Sequence, residues 1–149
     1  MDLLMVGFKG KNNSSAVLVS ALSSRHILLT NSFEGLRKDI ENMPVEHDGA
    51  LLFGVDKDLV DSVRIERVAG KDGMSRTSKL DLEGLAERFS SAGIRATLSS
   101  EPTKYLCNEA YWHALNKFSG RAVFIHIPTT KHMDKQLTEA IKQVFGEKI

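Results

Sequence analysis

The sequence predicts an α/β fold: one domain with a mainly parallel, twisted sheet covered by helices on both faces. Two observations carry this. Short apolar runs bounded by glycine or turn residues recur along the chain, and between them stand stretches whose apolar residues follow the three-four spacing of a helix face. Such units with short connections favour parallel pairing, because a parallel neighbour needs a crossover that a helix supplies. At 149 residues the chain has the size of one domain, spanning 1–149.

The first strand is Leu3-Leu4-Met5-Val6-Gly7-Phe8, a continuous apolar run of the kind buried on both faces of a sheet. Gly10 to Ser15 is turn and cap chemistry, and Ala16, Val17, Val19 and Leu22 carry a helix to about Ser23. His26 to Thr30 is the second strand, after which Asn31-Ser32 caps a helix holding Phe33, Leu36 and Ile40. Ala50 to Phe53, before Gly54, is the third strand, and Ser62 to Ala69 is a more two-faced fourth. Gly70 to Lys79 is polar and reads as a loop. Leu82, Leu85, Ala86 and Phe89 share one face of a helix over Leu80 to Ala92, with Gly93 as its stop. Ile94 to Ser99 alternates as a strand, and Pro102 introduces a helix reaching Phe118. Ala122 to Ile127 is a strand closed by Pro128, and a last helix runs from about Lys131 to Phe145.

Composition narrows the function. Apolar residues at 42% and charged residues at 26% are ordinary for a globular protein, which excludes disordered and fibrous classes. A formal net charge of +1 lacks the basic excess of a phosphate-tracking nucleic-acid binder. No apolar run approaches the roughly 18 residues of a membrane span, so no membrane partner is expected. Met1 to Gly10 lacks the basic start and long apolar centre of a signal peptide. The single cysteine, Cys107, cannot form an intramolecular disulfide, which points to a reducing, cytoplasmic location. His26, His47, His113 and His132 have no metal-ligand spacing, and Gly7 with Gly10 is too little for a phosphate loop. Neither metal nor cofactor is expected.

In open sheets of this kind ligands bind at the carboxyl ends of the strands, which directs attention to Gly7-Phe8, Gly54-Val55, the approach to Cys107, and His126. Cys107 falls in the first turns of a helix, where unpaired amides favour thiolate; it also sits on an apolar stripe with Ala110, Tyr111 and Ala114, where a thiol is simply buried. His126 interrupts the apolar strand Val123-Phe124-Ile125-His126-Ile127. It reads either as a general base or as a core imidazole satisfied by a carbonyl. Glu66, between Ile65 and Arg67, reads as a solvated charge or as the third group that orients such a base.

Three segments, Tyr105-Leu106-Cys107-Asn108, Phe124-Ile125-His126-Ile127-Pro128 and Ile65-Glu66-Arg67-Val68-Ala69, together resemble the pyroglutamyl peptidase I (pyrrolidone-carboxylate peptidase) family. The resemblance implies a phosphorylase-hydrolase-like three-layer fold and a shortened, divergent member. It further implies a cysteine peptidase that removes N-terminal pyroglutamate, with Cys107 as nucleophile, His126 as base and Glu66 as orienting acid. Phe8, Tyr105 and Asn13 are its expected substrate-binding residues, and a peptide or small amide its expected substrate, with a homo-oligomer left open. The departures lie in the ring-binding loop, where Gly7-Phe8 runs into Lys9-Gly10-Lys11-Asn12-Asn13, and in a missing arginine segment after Glu66. They favour an alternative: a relative with little catalysis that binds a small molecule or a protein. A catalytic thiol of lowered pKa should react with iodoacetamide below pH 7, whereas a core thiol should not.

Overall fold

The computed structural model describes residues 2–44 and 46–146. In chain order its elements are β1 (Leu3–Phe8), α1 (Ser14–Leu22), β2 (His26–Leu29), α2 (Phe33–Glu41), β3 (Gly49–Val55), β4 (Ser62–Glu66), β5 (Val68–Lys71), β6 (Met74–Thr77), α3 (Leu82–Ser91), β7 (Arg95–Ser99), α4 (Tyr105–Lys117), β8 (Ala122–Ile127) and α5 (Lys135–Gly146). Six strands form one sheet in the order β2-β1-β3-β8-β4-β7, and β5 with β6 forms a separate hairpin.

The central strands are apolar at almost every position because helices cover both faces. On one face Val6, Phe8, Leu52 and Phe124 pack with Leu36 and Ile40 of α2 and Tyr111 and Leu115 of α4. On the other, Leu51, Phe53, Ile65 and Ile125 pack with Leu18 of α1, Phe89 of α3 and Ile141 of α5. Adjacent strand residues thus serve opposite cores, as the two-residue strand period requires. Helix starts follow from their caps: Asn13, Ser32 and Asp81 accept first-turn amides from Ser15, Gly35 and Gly84.

The structure amends the sequence expectations in three places. The segment expected as a loop from Gly70 to Lys79 contains the hairpin β5–β6, turned by Asp72 and Gly73, whose φ values of 52° and 76° are those of a tight hairpin turn. The expected fourth strand breaks at Arg67, so that its second half leaves the main sheet for that hairpin. The last helix begins at Lys135 rather than near Lys131.

One ladder of the main sheet is antiparallel. β4 runs against β8, with Arg64 opposite His126 and Glu66 opposite Phe124, while the remaining ladders are parallel. Among the described residues no helix is long and apolar enough to cross a membrane.

Candidate active site

β8 presents His126 on the face covered by α4, between Gly54 of β3 and Arg64 of β4. Residues facing each other across a ladder share a face, as do residues two apart, so Glu66 projects beside the same imidazole. Its Oε2 accepts from Nδ1 of His126 at 3.1 Å and from Nε of Arg64 at 2.7 Å. Both His126 and Glu66 are buried, at 3% and 1% exposure. A carboxylate only accepts, so Nδ1 of the ring carries the proton in this contact, and Nε2 is the ring nitrogen that Glu66 leaves free. Phe124 supports the ring from beneath, with centroids 4.9 Å apart.

Cys107 reaches the same place from the first turn of α4. Two contacts fix that helix against the sheet. Tyr111, one turn further on, donates its hydroxyl to the Glu66 carbonyl at 2.7 Å, and Asn108 both donates to and accepts from the Gly70 backbone. Gly54 supplies the room: a Cβ there would lie 2.5 Å from the Phe124 ring and 3.0 Å from Cys107 Sγ. No side chain caps the start of α4, so first-turn amides stay available as donors at the cleft. Tyr105 enters this turn with φ of 57°, in the left-handed region.

An open cleft of about 760 Å³ gathers Cys107, His126, Glu66 and Tyr105, with Arg64, Asp56 and Ser99 also on its wall. Among the described residues no hydrogen bond joins Cys107 to the His126 ring. Of the three residues expected to hold substrate, Tyr105 stands at the mouth, 81% exposed. The other two lie elsewhere. Phe8 is packed in the core against Phe124, and Asn13 is engaged in capping α1.

Of the two readings open for Cys107, the electrostatics of the cleft match the protonated thiol. Burial first, and then the Glu66 and Asp56 carboxylates, push the Cys107 thiol up to about 12; the Arg64 guanidinium opposes them without prevailing. For Asp56, burial acts upward, but the Asp58 amide and Arg64 together hold the carboxyl below its ordinary value. Arg64, despite burial acting downward, is held above its ordinary value by Glu66 and Asp56.

Arg64 and Asp56 were not among the sequence candidates. Arg64 carried a usable signal, since it stands two residues before Glu66 and therefore on the same face of the strand. Asp56 carried none, because its place beside Arg64 depends on where the turn after β3 meets β4. Among the described residues no group of three or more histidine, cysteine, aspartate or glutamate side chains is arranged to hold a metal ion.

No family model and no curated protein matches the chain. Solved structures do. The pyrrolidone carboxyl peptidase from Thermococcus litoralis superposes with a TM-score of 0.80 at 18% identity, over 98% of this chain and 92% of that one. That from Thermus thermophilus gives 0.78 at 19%, over 95% and 96%. A mutant of the Pyrococcus furiosus protein gives 0.80 at 19%, over 98% and 97%.

Proposed function

We propose that this chain, which has the fold of the pyrrolidone carboxyl peptidases, is a cysteine peptidase or amidohydrolase that removes N-terminal pyroglutamate from peptides. The observation that carries this reading is the buried Glu66–His126 hydrogen bond at the cleft that Cys107 enters. His126 Nε2 takes the thiol proton, and Sγ attacks the carbonyl beside the lactam ring. Amides at the start of α4 receive the oxyanion. The tetrahedral adduct collapses to an acyl-enzyme as His126 protonates the leaving amine; His126 then deprotonates the water that releases pyroglutamate. Glu66 holds the ring tautomer and offsets the imidazolium charge.

Tyr105 is the aromatic wall for the lactam, and Phe8 contributes none from its core position. A missing wall loses ring burial worth about 1–3 kcal/mol, or roughly ten- to hundredfold in specificity if realised in the transition state. Turnover of a pyroglutamyl fluorogenic amide, but not of the matching prolyl and glutamyl amides, is therefore expected at a low rate and abolished by Cys107→Ser.

One observation favours the alternative of a relative that binds a small molecule or a protein without catalysis: burial and two carboxylates hold the thiol protonated. Absence of turnover with all three amides in the wild type decides for it.

A further inference from the structure

Arg64 is placed as a brace rather than as a surface charge. Its Nε donates to Glu66 Oε2 at 2.7 Å, the same oxygen that receives Nδ1–H of His126, and its Nη1 donates to Asp56 Oδ2 at 2.7 Å. Two donors on one oxygen pin Oε2 between Arg64 and the imidazole. Asp56 is itself fixed: its Oδ1 accepts from the Asp58 amide, and its own amide donates to the Ile127 carbonyl of β8. The chain of contacts therefore starts on the backbone of β8, crosses Asp56, Arg64 and Glu66, and returns to β8 at His126. Arg64 stands directly opposite His126 in the β4–β8 ladder, so this loop closes across a single ladder step.

We propose that Arg64, braced by Asp56, is the positioning residue of this site, holding the Glu66 carboxylate on His126 Nδ1 so that Nε2 is kept for the thiol. The inference rests on the hydrolase reading for its kinetic consequence but not for its structural one. Among the described residues the ion-pair partners of Glu66 are Arg64 and His126, and the other charged groups at this cleft, Lys57, Asp58 and Lys104, are not among them. Only a planar guanidinium with separate donors spans both carboxylates; an ammonium keeps the charge and loses the span.

The test uses Arg64→Lys and the milder Asp56→Asn in the full chain. The first readout is the downfield proton resonance of His126 Nδ1–H, assigned by its loss in His126→Gln. It should be sharp in the wild type, lost to solvent exchange in Arg64→Lys and broadened in Asp56→Asn. The second is kinetic: with the pyroglutamyl amide, kcat should fall about ten- to hundredfold in Arg64→Lys, because a displacement of about 1 Å in a reacting group can cost that order, with KM changed less than about twofold. A sharp resonance in both variants, or a change confined to KM, overturns the proposal. If Arg64→Lys does not fold, Asp56→Asn decides by the same two readouts. If the wild type turns nothing over, the hydrolase reading fails, and the resonance alone still decides whether Arg64 positions Glu66.

Discussion

Cys107 joins the chemistry of the cleft to the stability of the chain. Its proton is retained in the folded state up to about pH 12 but lost by an ordinary thiol near 9.0. Between those values only the unfolded state ionises, so stability is complete below about pH 9 and declines as pH rises through that window. At pH 10 the loss is about 1 kcal/mol. Wild type should accordingly lose about 2–4 °C more in Tm between pH 7 and pH 10 than Cys107→Ala; equal losses in calorimetry would show that burial does not hold the thiol neutral. Substitutions within the proposed triad should rank by role. Cys107→Ser and His126→Ala should remove detectable turnover with their circular dichroism unchanged, whereas Glu66→Gln should retain more, as an orienting group does. Turnover persisting in Cys107→Ser would end the covalent mechanism. At this scale the residues singled out for distinctive chemistry in apolar settings, His126 within an aliphatic strand and Cys107 near a helix start, line one cleft with Glu66. The sequence misled at Phe8. An aromatic at a strand end faces either a ligand or the core, and here Phe124 and Tyr111 give it a core to join.

Among elements, β3 determines how closely α4 approaches the sheet. Gly54 stands where the Phe124 ring and Cys107 Sγ fill the space a side chain would need. Gly54→Ala should cost about 1–3 kcal/mol through overpacking, read as a lower urea midpoint. An unchanged midpoint would mean that α4 shifts freely, in which case the thiol is not held by packing. The strands and helices themselves were largely legible, because period-two and three-four patterns follow from burial on one or two faces. The hairpin was legible too, in principle: Asp72-Gly73 is a strong turn signal, obscured because the strands around it are short and mostly polar. Packing of that hairpin on α4 makes a separate expectation. Asn108 satisfies both backbone groups of Gly70, and Arg76 stacks over Trp112 at 3.9 Å. Asn108→Ala should leave those groups unpaired, costing about 1–3 kcal/mol locally, and hydrogen exchange should quicken at Gly70 while β8 stays protected. Slow exchange at Gly70 in the variant would assign the docking to the Arg76–Trp112 contact instead.

For the molecule as a whole, strand order could not be read from the sequence. Local patterns say that β4 and β8 are buried strands; they do not say that the two are neighbours, nor that one runs against the other. That reversal is what brings Arg64 and Glu66 to His126, and it depends on contacts 60 residues apart along the chain. The same arrangement has a consequence in time. β8 is the last strand to be synthesised, yet it lies between β3 and β4. During synthesis β1, β2 and β3 can pair with one another, and β4 can pair with β7, but the two groups share no ladder until the final strand emerges between them. Closing loops of that length is slow relative to local pairing. The proposed triad is therefore complete only once β8 has been made, and a nascent chain that stops before Ala122 carries Cys107 and Glu66 without His126.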